Sequence, residues 1–198
     1  MLLMSTRGSR KRAYHHGNLP AATLRAAGEL LEGRGADAVV LREVARRAGV
    51  SHNAPYRHYP DRDALLAALA AQGFQALERS LSGKRGHDIG VAYVAFALEH
   101  PQRFRLMFGG ALRLADRPAL HEAAARVFEV LRASFSGRGD VADPEKAAAA
   151  AWSLVHGLAQ LLLEGQFPQA LRKSGGAEQL AAEVIGAVRF AAGAQRSA

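Results

Sequence analysis

The side chains in this chain that could do chemistry fall into a few groups, and the densest is cationic. Arg7, Arg10, Lys11 and Arg12 crowd the N-terminus, and cations at that density attract a polyanion, either nucleic acid or an anionic membrane surface. Further on, Ser51, His52, Asn53, Tyr56, Arg57 and His58 bring hydroxyl, imidazole, amide and guanidinium groups into one short stretch. His15-His16 offers two imidazoles, but neighbouring residues point apart and lack a nearby acid, so no metal site is expected. His156 stands alone in an apolar stretch, where a hydrogen-bonded core histidine is a commoner occupant than a ligand. Asp61 and Asp63 flank Arg62 in a pattern that suits a helix start better than catalysis. The sequence has no Gly-rich phosphate loop, no nucleophile elbow and no paired His–carboxylate spacing. Its lack of cysteine excludes a thiol nucleophile, a disulfide scaffold, Cys-ligated zinc and iron–sulfur chemistry. Neither an enzyme nor a cofactor is expected.

Helices must position these groups. Only two Thr and two Ile occur among 198 residues, and no Val/Ile/Tyr-rich alternation runs long enough for a strand. Ala, Leu, Arg and Glu dominate, all strong helix formers, so the fold class is all-α. Charge is uneven along the chain. Residues 1–62 hold 11 Lys/Arg against 5 Asp/Glu, and residues 63–198 hold 15 against 13. Of the net +8, therefore, +6 lies in the first third. The expected division is a basic flexible arm over 1–16, a helical head over 17–62 and a larger helical domain over 63–198. Spacing and caps predict helices over 18–34, 41–48, 51–58, 63–81, 88–99, 100–109, 117–136, 144–164 and 177–192. Met1-Leu2-Leu3-Met4 passes straight into the basic run without a signal-peptide core, so the cytoplasm is the expected compartment.

The head carries a helix-turn-helix pattern. Leu41, Val44, Ala45 and Ala48 recur at i, i+3, i+4 and i+7, and Gly49 follows at the turn. Ala45 is small where a second helix would cross, and Gly49 supplies a backbone conformation that a side chain resists. Ser51 is a suitable N-cap for the second helix, whose first residues would face base edges in a major groove wide enough to admit a helix.

Residues 18–66 resemble the tetracycline-repressor-like (TetR) family of bacterial transcription regulators. Leu41-Arg42-Glu43-Val44-Ala45-Arg46-Arg47-Ala48-Gly49-Val50-Ser51 is similar to the family's second helix and turn. Tyr56-Arg57-His58-Tyr59-Pro60-Asp61-Arg62-Asp63-Ala64-Leu65 is similar to its Tyr-x-His-Phe-x-x-Lys-x-x-Leu signature. Tyr14-His15-His16-Gly17-Asn18-Leu19 and Trp152-Ser153-Leu154-Val155-His156-Gly157 resemble the branch with a Trp-His-Gly C-terminal domain. The resemblance implies DNA contacts from Ser51, His52, Asn53 and Ala54 at the start of the recognition helix. Tyr56 and His58 would meet phosphates, with Arg57 between them, and Arg42 and Arg62 would reach the backbone. Arg10, Lys11 and Arg12 add an electrostatic arm. Base choice would rest on His52, Asn53 and Arg57, since phosphate contacts fix register alone. Three positions depart from the family pattern: Val40 replaces a capping Thr or Ser, Tyr59 replaces Phe, and Pro55 sits inside the recognition helix.

In the C-terminal half, residues 147–163 are uncharged, and leucines surround the helix axis. Five consecutive alanines with Ser153, His156 and Gln160 make the stretch too weakly hydrophobic for a membrane span. A helix apolar all round packs on more than one side. The resemblance implies a four-helix dimer interface from the last two long helices, with Leu154, Gly157, Leu158 and Leu161 on one and Val184 and Val188 on the other. It also implies an effector cavity, for which Phe74, Tyr93, Phe96, Phe104, Met107, Phe108, Phe128, Trp152 and His156 are candidates. The expected function is a homodimeric regulator, a repressor, that an unidentified small molecule releases from a pseudo-palindromic operator. The competing reading is a basic helical protein that coats DNA or an anionic membrane without sequence preference.

Overall fold

The computed structural model describes residues 19–110, 112, 116–139, 141–168 and 176–188. Among them are eight α-helices and no strand. The helices are α1 (Leu19–Arg34), α2 (Leu41–Ala48), α3 (Arg62–Leu81), α4 (His87–Glu99), α5 (Pro101–Phe108), α6 (Pro118–Phe135), α7 (Pro144–Leu163) and α8 (Ala177–Ala187). No helix among the described residues is long and apolar enough to cross a membrane.

The head is built where three short elements share one apolar centre. Ala27, Leu30 and Leu31 of α1 join Val44 of α2 in one cluster that Val39, Tyr59 and Leu65 complete, and Ala45 of α2 is buried as well. Gly35, at φ 78, turns the chain out of α1 while its N–H bonds to Leu31 O at 2.8 Å. The first helix of the pattern ends as expected. Gly49 adopts φ 69 and ψ 30, its N–H reaches Arg46 O, and the Val50 N–H reaches Ala45 O. That paired arrangement is a Schellman cap, which a Cβ at Gly49 would strain. Val40 precedes α2 without a side-chain cap.

The second helix of the pattern does not form as an α-helix. Residues 52–54 make a turn and Pro55–Arg57 a single turn of 3-10 helix. Pro55 has no N–H to give Ser51 O, so that carbonyl accepts instead from Ala54 N at 2.9 Å. Ser51 therefore does not act as an N-cap, and proline takes the first position of the shorter element.

α3 is the spine between head and domain. Leu65, Leu69, Leu77 and Leu81 on it are fully buried, and α6 is its main packing partner, with α1, α4 and α5 also against it. Asp61, rather than Asp63, caps it by accepting from Ala64 N at 2.6 Å. α5 sits across α1 and α3. It approaches so closely that a Cβ at Gly73 would stand 2.5 Å from Met107 Sδ. Arg103 of α5 is paired with Glu32 of α1 at 3.1 Å. α7 packs between α4 and α6, opened by Asp143, whose side chain accepts from Lys146 N. α8 rests on α4 and touches α7 only lightly. It stops at Ala187, before the expected end, with Gly186 weakening its last turn and Val188 extended. Residues 189–192 lie outside the described residues.

Candidate nucleic-acid interface and interior cavities

The residues expected to read DNA come together on one exposed ridge beyond α2. Ser51, His52, Asn53, Tyr56, Arg57 and His58 are exposed, while Ala54 is half-buried in the turn. Tyr56 is 47% exposed, an unusual placement for a large aromatic ring, with the His52 ring edge-on at 6.5 Å. Its neighbour Tyr59 points the other way into the core, and burial raises its phenol pKa. Pro55 and Tyr59 thus anchor the turn from inside while the side chains between them face out. Arg10, Lys11, Arg12 and His15-His16 lie outside the described residues.

The head's cations are not equally available. Glu43 takes Arg46 in a two-pronged pair at 2.8 and 2.7 Å, which holds the Glu43 carboxyl below its ordinary pKa. Arg47 is paired with Glu29 at 2.8 Å. Arg62 turns inward, where its Nε donates to Val39 O at 3.0 Å and its Nη2 to Ala36 O at 2.8 Å. The structure therefore uses Arg62 to brace the chain that enters α2, where the expectation put it on a phosphate. Arg42 and Arg57 are exposed, and no acid among the described residues pairs with them. A shallow depression between α2 and the turn is lined by Val40, Arg42, Glu43, Arg46, Val50 and His52.

Two of the cavities among the described residues lie inside the helical domain. One, of 180 Å³, lies between α3, α5, α6 and α7. Phe74, Met107, Phe108, Phe128 and Trp152 line it as expected candidates. Ala124, Val127 and Leu131 complete its α6 wall. With Phe128 they fall at i, i+3, i+4 and i+7, a spacing that was there to be read. The remaining candidates are set apart from it. Tyr93 and Phe104 are fully buried behind the wall, and His156 is held among rings. Phe96 faces elsewhere, against the His100 ring at 5.0 Å.

Buried Tyr93 links the half-buried Trp152 and His156 in a hydrogen-bonded relay. The Trp152 indole N–H donates to Tyr93 Oη at 3.1 Å, and Tyr93 Oη lies 2.9 Å from His156 Nδ1. Burial pushes the Tyr93 phenol up and the His156 imidazole down, so both are neutral near pH 7. The Tyr93 hydroxyl proton then points to Nδ1, since its oxygen already accepts from Trp152. His156 is thus half-buried and held through Nδ1 by the Tyr93 hydroxyl.

The second cavity, of 450 Å³, lies between α4, α6, α7 and α8 and has His87, Ser134 and Arg138 on its rim. No motif signalled it. On its wall, Gly90 lets Val155 and Ile185 pack within 3.2 Å of where a Cβ would stand, so α4, α7 and α8 close tightly there.

Of the residues assigned to a dimer contact, Leu158 is only 4% exposed and belongs to the chain's own core. Leu154 is half-buried on the wall of the larger cavity, and Val184 packs against the core. Leu161 is 41% and Val188 38% exposed. A Cβ at Gly157 would meet nothing within 4 Å among the described residues.

Residues 87–188 match the family model described as "Tetracyclin repressor-like, C-terminal domain", and residues 24–69 match "Bacterial regulatory proteins, tetR family". A nucleoid occlusion factor, SlmA of Pasteurella multocida, is 30% identical over 111 residues, which are 52% of this chain and 55% of that protein. The chain thus matches about half the length of that relative. A solved protein of unknown function from a Rhodococcus species superposes with a TM-score of 0.74 at 30% identity, covering 89% of this chain and 96% of that one. The TetR family regulator PfmR from Thermus thermophilus shares the fold, with a TM-score of 0.58 at 20% identity over 83% of this chain and 94% of its own.

Proposed function

Because the chain belongs to the tetracycline-repressor family of bacterial regulatory proteins, we propose that it is a homodimeric, sequence-specific repressor released from its operator by a small molecule. The observation that carries this reading is the ridge beyond α2. His52, Asn53, Tyr56, Arg57 and His58 stand exposed together, behind a turn fixed by Gly49 and Pro55. A monomer has no use for an exposed tyrosine beside two histidines and an unpaired arginine, whereas a groove of bases and phosphates satisfies all of them. In a symmetric dimer the two ridges would enter successive major grooves roughly 34–36 Å apart, or a multiple of that spacing. Arg42 and Arg57 supply the phosphate attraction, together with the arm that includes Arg10, Lys11 and Arg12. The protein then works in the cytoplasm, on the chromosome.

The effector part of the reading rests on the cavity between α3, α5, α6 and α7. Its α5 wall is one face of a helix whose Arg103 grips α1 of the head. A ligand that binds better to one placement of α5 shifts the population between head arrangements.

Selection from a randomised duplex pool at two salt concentrations tests the DNA half. A recovered palindrome with spaced half-sites is the expected result, and Tyr56→Ala should weaken its binding about tenfold without changing the oligomeric state. Random fragments that are lost as salt rises would instead leave only a non-specific electrostatic binder.

A further inference from the structure

The smaller cavity limits what it can hold. At 180 Å³ it falls below the roughly 300–1,000 Å³ of pockets for drug-sized ligands. It is close to the ~150 Å³ apolar void that stays dry and accepts benzene. Four rings line it, beside the aliphatic Leu112, Ala124, Val127 and Leu131. Phe74 and Phe108 meet edge-to-face at 5.1 Å, Phe128 and Trp152 at 6.1 Å, and Met107 adds a thioether. Among its described lining residues none is ionisable. The one side-chain N–H on those walls, the Trp152 indole, already donates to Tyr93. Tyr93 in turn is committed to His156.

We propose that this cavity binds an uncharged, single-ring aromatic compound, a ligand class that rests on reading the cavity as the effector site. Rings that already pair edge-to-face accept a further ring in the same geometry, and the thioether sits well at a ring edge. A carboxylate entering here would lose its water and meet no donor. An ammonium would meet rings that are mostly phenylalanine, whose attraction for a cation falls short of the cost of stripping its water with no acid beside it.

Trp152 is the only tryptophan in the chain and stands on the cavity wall, so its emission reports occupancy directly. The full-length protein is titrated with toluene, benzoate and benzyltrimethylammonium, following Trp152 emission and melting temperature. Operator release is assayed in parallel. The same titrations are run on Ala124→Leu, which fills the α6 side of the void with apolar atoms. Toluene should shift the emission and raise the melting temperature, with each ion binding roughly tenfold more weakly or worse. In a cooperatively melting Ala124→Leu protein the toluene effect should vanish. Ions that bind as tightly as toluene would overturn the ligand class. Toluene binding that survives Ala124→Leu would overturn the site, as would a protein in which none of the three shifts the emission. Toluene that occupies the cavity yet leaves operator binding untouched would overturn the effector reading alone and leave the ligand class standing.

Discussion

At the scale of single residues, position in a motif and direction of a side chain are separate facts. Arg62 occupies a motif position associated with phosphate, yet its guanidinium bonds Val39 O and Ala36 O and lies 3.6 Å from Asp37. Two charge-assisted bonds tie the chain ahead of α2, which has no side-chain cap at Val40, to the start of α3. Arg62→Ala should therefore cost about 1–2 kcal/mol of stability and weaken DNA binding by loosening α2. The slope of log affinity against log salt separates the roles. It stays unchanged for a brace, whereas a lost phosphate contact lowers it by about one. His156 gives a second residue-level expectation. Burial lowers its pKa from the ordinary 6.5, and the surrounding rings of Tyr93, Phe104, Phe108 and Trp152 carry no charge near neutrality. Below that ordinary value the unfolded chain takes up a proton that the folded one resists. The stability contributed by the neutral ring is then present above it and lost as pH falls through the lower folded value. Urea midpoints between about pH 7.5 and 5.5 should fall more steeply for the wild type than for His156→Asn, which keeps an acceptor for Tyr93.

At the scale of elements, the sequence is legible wherever a local rule acts alone. Gly49 after the i, i+3, i+4, i+7 pattern predicts the end of α2, and the observed φ of 69 with its two backbone bonds is that prediction in atoms. Asp143-Pro144-Glu145 likewise opens α7 with an acidic cap and a first-turn proline. Legibility fails where two rules compete. Ser51 proposes a helix start and Pro55 withholds the donor that would sustain it, so the stretch settles for a turn and 3-10 geometry. The cavity walls were half legible. Aromatic residues mark themselves, but which side of a helix they face depends on the crossing of its neighbours, and so Phe96 went to His100 while Ala124 and Val127 lined the void. Since the left-handed turn holds the ridge, Gly49→Ala should destabilise by about 1–2 kcal/mol. Guanidinium unfolding should show a lower midpoint at unchanged slope, and DNA affinity should fall with it.

At the scale of the whole molecule, one apolar helix has to serve two clients. Along α7, Val155, Leu158 and Ala159 are buried within the chain, while Leu161 lies open near Gly157, where none of the described residues approaches. The sequence shows leucine on all sides and cannot divide them, because the division is made by where α4 and α6 lie. Charge at each position separates the two roles. Leu158→Glu would put a carboxylate into the core with no partner and should unfold the chain, at a cost of several kcal/mol, roughly 4 or more. Leu161→Glu should leave the helical signal and the fold of each chain within about 0.5 kcal/mol, because the side chain is already solvated. If the open face of α7 pairs with a second copy, that same substitution sets two carboxylates against each other across the symmetry axis. Sedimentation should then show a monomer, with the palindrome bound only through its half-sites and far more weakly. A Leu161→Glu protein that still sediments as a wild-type dimer would place the dimer contact elsewhere. The exposed apolar face of α7 would then need another partner.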